Sequence, residues 1–285
     1  MNYVTVIPSK SRSWYPDKYS DVPVLRFKDK VFNTKVVIHE SESKEYEEML
    51  KRHELHDVTI WATDKTNISQ TRQYVLERCD KEGYEFLCHP DDDIRYFDRE
   101  LGFKPVPMEL EASKNVWNHV MGIVSARFPL VSTHDRFMIH ASKYAFPVNS
   151  KAMIDYYIHV PTFINNGITF QYKDLTVYED RVVQCQLGVK GFYTSVLTTM
   201  FATAQRHMNN NTGGCASYRT DEENLRCARI VHEDFPSFTN LHRCSGWSSI
   251  EAGFFFKKLL PKGHLPYIPK EEMEQWLQRP EACRV

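Results

Sequence analysis

Short β-rich runs alternate with helical stretches through the first hundred residues, and that alternation restricts the fold more than any other feature of the chain. Tyr3 to Ile7 is rich in β-formers and stops at Pro8, ahead of the polar loop Ser9-Lys10-Ser11-Arg12-Ser13. Lys35 to His39 is a second run, Val58 to Ala62 a third and Tyr84 to Cys88 a fourth. Ser43 to Lys51 predicts a helix with a capping serine and an acidic first turn. Ser69 to Lys81 predicts another, with Ile68, Val75, Leu76 and Cys79 roughly on one face. Strands separated by helices of this length need crossover connections, which implies an α/β fold with a mainly parallel sheet flanked by helices. Ligands of such sheets bind at the carboxyl ends of the strands. The Ser9-to-Ser13 loop falls there, and so does the run Asp91-Asp92-Asp93 that follows the fourth strand and His89-Pro90.

Further along, Ser113 to Val124 reads as a helix, while Arg127 to Val148 has no single period. Ile168 to Val177 is expected to be strand and ends at Tyr178-Glu179-Asp180. Val182 to Gly191 is expected to be a helix closed by Gly191. Phe192 to Phe201 returns to strand, Asn209 to Gly214 is a turn-rich loop, and Thr220 to Val231 reads as a helix capped by Thr220 or Asp221. Phe254 to Leu260 is largely apolar and the tail from Pro261 is polar. With no internal repeat or low-complexity linker, a single domain over residues 1–285 is expected.

Composition narrows the class. Charged residues at 26% and hydrophobic ones at 42% suit a globular chain with a sizeable core. A formal net charge of -1 means that any grip on nucleic acid would come from a local patch. Seven cysteines without a CxxC pair argue against a disulfide framework and a Cys-based zinc site. The N-terminus has no signal-peptide pattern, and no stretch approaches the ~18 apolar residues of a membrane span. The expectation is a soluble cytoplasmic protein with reduced thiols.

Two acidic groups carry the chemistry. Three adjacent carboxylates at a strand end repel one another unless a cation compensates them. Hard oxygen ligands suit Mn2+ or Mg2+, which bind through one or two carboxylates plus substrate phosphates. An acidic turn or an N-cap cluster for Ile94 onward is the plainer alternative. Glu179-Asp180 lies at a helix N-terminus, where the dipole favours an ionised Asp able to act as general base. Simple N-capping is the alternative there.

The order VTVIPSKSR, a strand ending in Glu40, ATDKTNISQTRQYVLERC, YEFLCHPDDD and YEDRVVQCQLGVKGF resembles the GT-A (Rossmann-like) fold of nucleotide-sugar-dependent glycosyltransferases, over roughly the first two hundred residues. The resemblance implies a nucleotide-sugar-binding half over residues 1–100 and an acceptor-binding, catalytic half over 101–285. It implies donor contacts at Pro8, Ser9, Lys10, Arg12, Glu40, Asp64, Arg72 and Asp92, and metal ligands at Asp91 and Asp93. His207, on a loop after the Glu-Asp segment, is the further metal or pyrophosphate ligand it suggests, with His242 in competition. Asp180 with Glu179 takes the place of the catalytic base; Glu222, in the similar acidic stretch Asp221-Glu222-Glu223, is the alternative. Ser9-Lys10 stands where the family has an aromatic residue and Asn, and His89-Pro90 where it has apolar residues. The stretch TGGCASYR, the size and the absence of a membrane segment are more similar to bacteriophage enzymes that decorate hydroxymethylated pyrimidines in DNA.

The resulting expectation is a metal-dependent, inverting glycosyltransferase using a nucleoside diphosphate sugar, UDP-linked, in a host cytoplasm if viral. DNA carrying 5-hydroxymethyl pyrimidine is the expected acceptor, with a saccharide or protein acceptor as alternative and no protein partner evident. His159 to Gly167 reads as an acceptor-side loop, with Tyr156, Tyr157 and Phe163 able to stack on a sugar or base. A nucleotidyltransferase is the competing enzyme class, and the lack of Gly in Ser9 to Ser13 counts against it. A domain in which the acidic runs are only caps is the competing non-enzyme.

Overall fold

Alternation along the first strand decides how the layers assemble. Val4 and Val6 point to one face of the sheet and Ile7 to the other, and all three are buried. A strand covered on both sides belongs in the middle of a parallel sheet between helical layers. The computed structural model of the chain has that arrangement and describes residues 2–29, 32–98, 104–105, 128–135, 155–192, 194–205, 220–243 and 250–254.

The strands are β1 (Tyr3–Pro8), β2 (Thr34–His39), β3 (Thr59–Thr63), β4 (Phe86–His89), β5 (Ile94–Asp98), β6 (Lys104–Pro105), β7 (Leu130–Asp135), β8 (Tyr156–His159), β9 (Thr194–Gln205), β10 (Thr239–Arg243) and β11 (Ile250–Phe254). The helices are α1 (Tyr15–Lys18), α2 (Pro23–Arg26), α3 (Ser43–Arg52), α4 (Ile68–Lys81), α5 (Val160–Asn165), α6 (Glu179–Val189) and α7 (Asp221–Asp234). The main sheet has nine strands in the order β3-β2-β1-β4-β8-β7-β9-β5-β6, and β10 and β11 form a separate antiparallel pair. β3, β2, β1 and β4 run parallel; β8 opposes β4 and β7, and β5 opposes β9 and β6. Because β7 and β9 are parallel, only β5 and β8 run against the rest, so the sheet is mainly parallel. This is a Rossmann-like α/β arrangement, a mainly parallel sheet flanked by helices.

One face of the sheet is covered by α4, α5 and α6, whose Val75, Leu76, Cys79, Phe163, Val183 and Leu187 meet Val4, Val6, Val37 and Leu87. α3 covers the other face, Tyr46 and Met49 packing on Ile7, Val36 and Ile38. α7 and the β10–β11 hairpin close a third cluster against α6. Since β1 to β4 are parallel, the loop after β1, Glu40 after β2, Asp64 after β3 and the Asp run after β4 all emerge at one edge of the sheet.

Three local expectations are corrected. Ile168 to Val177 is not a strand: Lys173, Asp174 and Tyr178 have positive φ, and no ladder forms. The strand-like signal arose because Ile168, Phe170, Leu175 and Val177 are all buried. Side chains satisfy the backbone in place of a ladder: Gln73 of α4 accepts from the Phe170 amide at 2.9 Å, and Gln186 of α6 brackets Thr169 by accepting from its amide and donating to its carbonyl. His159 to Gly167 is not an open loop but the end of β8 followed by α5, with Phe163 buried against Phe170 at 6.1 Å between ring centroids. Tyr157 is likewise buried and donates to Asp155 at 2.9 Å, so neither ring faces an acceptor. Ser43 begins α3 rather than capping it; a 3-10 turn over Glu40–Glu42 precedes the helix, and the Ser43 hydroxyl donates to the Glu40 carbonyl.

The other helices start and stop as their sequences dictate. Asn67 caps α4 by accepting from the Gln70 amide, Thr220 caps α7, and Gly191 takes the positive φ that follows α6. Cys79, Cys88, Cys185 and Cys227 are buried free thiols. The predicted helix over 113–124, the segment 136–148, the loop 209–214, the apolar run 255–260, TGGCASYR and Cys215, Cys244 and Cys283 lie outside the described residues. Among the described residues no helix is long and apolar enough to cross a membrane.

Phe163 tests the reassignment of its segment. Phe163→Ala is expected to destabilise the protein by about 3–5 kcal/mol in denaturant unfolding, the cost of emptying a buried aromatic site; an acceptor-side ring would leave the midpoint unchanged.

Candidate functional site

The site is built at the carboxyl edge of β1 and β4, and two buried arginines organise it. Arg12, on the loop after β1, lies 2.5 Å from Asp92 and 3.1 Å from Asp93. Arg72, on the face of α4 turned to the sheet, lies 2.9 Å from Asp91 and 3.1 Å from Glu179. Each guanidinium also covers a ring: Arg12 sits 5.0 Å from the Tyr15 centroid and Arg72 4.6 Å from that of Tyr156. The cation that compensates the Asp run is therefore supplied, in part, by the chain itself.

A hydroxyl chain fixes the donor-side loop. The Ser9 hydroxyl donates to Asp92, so its contact with the Tyr46 hydroxyl, 2.6 Å, has Tyr46 as donor. The Arg12 amide in turn donates to the Tyr46 oxygen at 3.2 Å, and the Ser11 amide to Glu42 at 2.8 Å. α3 thus holds the loop from behind. Lys10 reaches across the edge to the Thr66 carbonyl at 3.1 Å. Pro8 ends β1, the Ser9 amide bonding to the Val37 carbonyl. Glu40 is exposed at the end of β2, and Asp64, exposed after β3, pairs with Lys65 at 3.0 Å.

On the opposite side, Asp180 occupies the first turn of α6 with Glu179. The Tyr156 hydroxyl donates to Asp180 at 3.2 Å, and Arg181 approaches it at 3.3 Å. Arg72 is the link between the two sides, since Asp91 precedes β5 and Glu179 opens α6. The fold therefore gathers Ser9, Arg12, Arg72, Asp91, Asp92, Asp93, Glu179 and Asp180, and leaves Glu40, Asp64 and Lys10 along the same edge. Glu222 is exposed at the start of α7, and His242 is exposed on β10, in the separate hairpin. His207 lies outside the described residues.

Tyr46, Arg181 and His89 are not singled out for the site by sequence reasoning, and Tyr156, expected as an acceptor-side ring, is instead buried beneath Arg72. Tyr46 is one residue of an amphipathic helix and Tyr156 one of a β-rich run, so only the fold reveals their partners. His89 ends β4 fully buried, donates from Nδ1 to the Val6 carbonyl at 2.6 Å, and leaves Nε2 without a hydrogen bond. Burial, reinforced by the Arg72 charge, depresses its imidazole to about 3, so it is neutral.

The two acidic sides differ in protonation. Burial, reinforced by the neighbouring Asp92 and Asp91 charges, pushes the Asp93 carboxyl up to about 7, with Arg12 only partly opposing this. Burial also raises Asp92, which Arg12 and the Ser9 hydroxyl oppose. Asp180 behaves in the reverse sense. Burial works to raise it, but Arg181, Arg72, the Arg181 amide and the Tyr156 hydroxyl outweigh burial and hold it below the usual carboxylate range.

The donor set suits a hard divalent cation. Among the described residues the site brings five carboxylates, those of Asp91, Asp92, Asp93, Glu179 and Asp180, against the three guanidiniums of Arg12, Arg72 and Arg181. Yet no group of three or more His, Cys, Asp or Glu side chains among the described residues is disposed to hold a metal by itself. The fit is with an ion that takes one or two carboxylates and completes its shell on phosphate oxygens.

No protein-family model matches the sequence, and no curated protein does. Solved structures similar in shape include Staphylococcus aureus TarS 1-349 in complex with UDP, at 12% identity and a TM-score of 0.49 over 82% of this chain and 65% of that one. This chain thus spans less than two thirds of the TarS 1-349 chain. Mannose-1-phosphate geranyltransferase from Thermus thermophilus has a TM-score of 0.43 at 9% identity, over 72% of this chain and 76% of that one. Helicobacter pylori mannose-6-phosphate isomerase has 0.34 at 14%, over 91% and 88%. At such scores and identities the likenesses carry nothing about activity or ligand.

Asp93 gives the site a pH signature. Its folded value of about 7 exceeds the ordinary 3.8, so between those values the folded protein binds more protons than the unfolded chain. Its contribution to stability is therefore greatest at low pH and is lost as pH rises through about 7. In chelator-treated protein, Asp93→Asn is expected to gain stability relative to wild type as pH goes from 5 to 8; parallel pH profiles of the unfolding midpoint would contradict this.

Proposed function

We propose that the protein is a metal-dependent, inverting glycosyltransferase that moves a sugar from a nucleoside diphosphate, UDP in the first instance, to a hydroxyl acceptor. One observation carries the reading: Arg72 hydrogen-bonds Asp91 on one side and pairs its charge with Glu179 on the other, joining two acidic groups from distant parts of the chain at the carboxyl edge of the sheet, where ligands of such sheets bind. The two groups then take different tasks.

Asp91 and Asp93 would hold Mn2+ or Mg2+, which when bound supplies Lewis-acid neutralisation of the diphosphate leaving group. Asp92, engaged by Arg12 and Ser9, orients the loop that borders the donor. Pro8, Ser9, Lys10, Glu40 and Asp64 border the donor along the same edge. Asp180 takes the proton from the acceptor hydroxyl, its oxygen directed by Tyr156 and Arg181. A base on the face opposite the leaving group gives inversion in one displacement. His207 is kept as a further ligand of the metal or pyrophosphate, and 5-hydroxymethyl pyrimidine in DNA as the acceptor.

The test begins with release of UDP from several UDP-sugars in the presence of manganese, with and without hydroxymethylated DNA. Asp180→Asn is expected to lower turnover on the order of 10²–10⁴-fold, the usual contribution of a general base, while leaving manganese-dependent UDP binding in place. Asp93→Ala is expected to weaken that binding by at least about tenfold, or roughly 1.4 kcal/mol. Turnover untouched by Asp93→Ala would overturn its metal role. Absence of any nucleoside mass shift across the sugar panel would remove DNA as the acceptor.

A further inference from the structure

We propose that Arg72 is a positioning residue that sets the relation between the donor-side and acceptor-side carboxylates, rather than a contact for the donor's phosphates; this rests on the glycosyltransferase reading above. A phosphate-binding arginine needs donors turned to the ligand. Arg72 instead has a side chain only 4% exposed, with Nη2 hydrogen-bonded to Asp91 and Nη1 paired by charge with Glu179 at 3.1 Å, while Nη1 and Nε are buried without a hydrogen-bond partner among the described residues. Its plane lies over the Tyr156 ring, and the hydroxyl of that ring holds Asp180. Asp91, Glu179 and Asp180 therefore share a single rigid support.

The support spans elements from separate parts of the chain. Asp91 stands after β4, Glu179 and Asp180 open α6, and Tyr156 lies on β8, which pairs with β4 through the register His89↔Tyr156. α4 is itself anchored across this seam, because Gln73, the residue after Arg72, accepts from the Phe170 amide. The planar fork of arginine sets two carboxylates at fixed directions from one rigid group, whereas an ammonium is a compact charge with rotatable donors that does not fix the angle between them. Lysine at this position keeps the charge and loses the alignment.

A misplacement of about 1 Å between metal-side and base-side groups is worth on the order of 100-fold in rate. Arg72→Lys is therefore expected to lower kcat by about that factor, a larger loss than the change in donor KM or UDP affinity that a shifted Asp91 brings. Glu179→Gln, which removes one arm of the support and leaves Asp91 paired, is expected to lower kcat in the same way. Because both act through one support, Arg72→Lys with Glu179→Gln is expected to be little worse than the more severe single substitution. The measurement is a double-mutant cycle on kcat and KM with a UDP-sugar and manganese, each variant being checked for wild-type thermal unfolding behaviour. Glu179→Gln keeps the cycle informative should Arg72→Lys fold poorly, since it must by itself lower kcat without raising donor KM. Additive effects, or a loss confined to donor KM, in an active wild-type background would overturn the positioning role and leave the function standing. A wild-type protein that turns over no nucleotide sugar would instead overturn the function, and the role with it.

Discussion

The geometry of the site depends on placing a guanidinium where carboxylates from different parts of the chain converge. Arg72 is buried, and burial disfavours its charge; Asp91, Tyr156, Glu179 and Asp180 together outweigh that and keep it cationic. A buried ion pair of this kind is weak evidence for net stability, because desolvation offsets much of the attraction. Its effect is on arrangement. Removing the cation would take away a charge that Asp91 and Glu179 both pair with. Arg12 plays the same part for Asp92 and Asp93, with Ser9 and Tyr46 fixing its loop.

How far such an arrangement is legible beforehand depends on sequence distance. β1 to β4 and their two crossover helices follow from local pattern, because side-chain period and capping are properties of neighbouring residues. Asp91 to Asp93 could be placed at a strand end for the same reason. What compensates them could not be read from pattern alone, since Arg12 pairs with Asp92 across 80 positions and Arg72 with Asp91 across 19. Adjacent carboxylates at a strand end, taken by themselves, call for a metal; the fold shows that arginine meets part of that need.

The misreading of residues 168–177 has a related cause. Burial of Ile168, Phe170, Leu175 and Val177 imitates a half-buried strand, and only the hydrogen-bonding partner distinguishes the two. Here the partners are the Gln73 and Gln186 side chains. That exchange lets the chain turn through Lys173, Asp174 and Tyr178, all at positive φ, and deliver Glu179 and Asp180 to the start of α6. A true strand would have carried them straight on. The departure from the local pattern is thus what brings the second acidic group to the first.

Charge stoichiometry then separates two groups of carboxylates that composition alone would treat alike. Burial by itself raises both Asp93 and Asp180. Asp93 is buried, shares Arg12 with Asp92 and is bordered by the Asp92 and Asp91 charges, so it is pushed up to about 7. Asp180 has Arg181 beside it, Arg72 behind it and a Tyr156 hydroxyl bonded to it, so it is held down. Pairs of titratable groups driven apart in this way mark a division of labour. On the proposed reading the side with excess negative charge is the one that gains from a divalent cation and a diphosphate, whereas the side with sufficient positive charge keeps an ionised base at neutral pH. The same guanidinium, that of Arg72, borders both, which ties the two roles to one element of the fold.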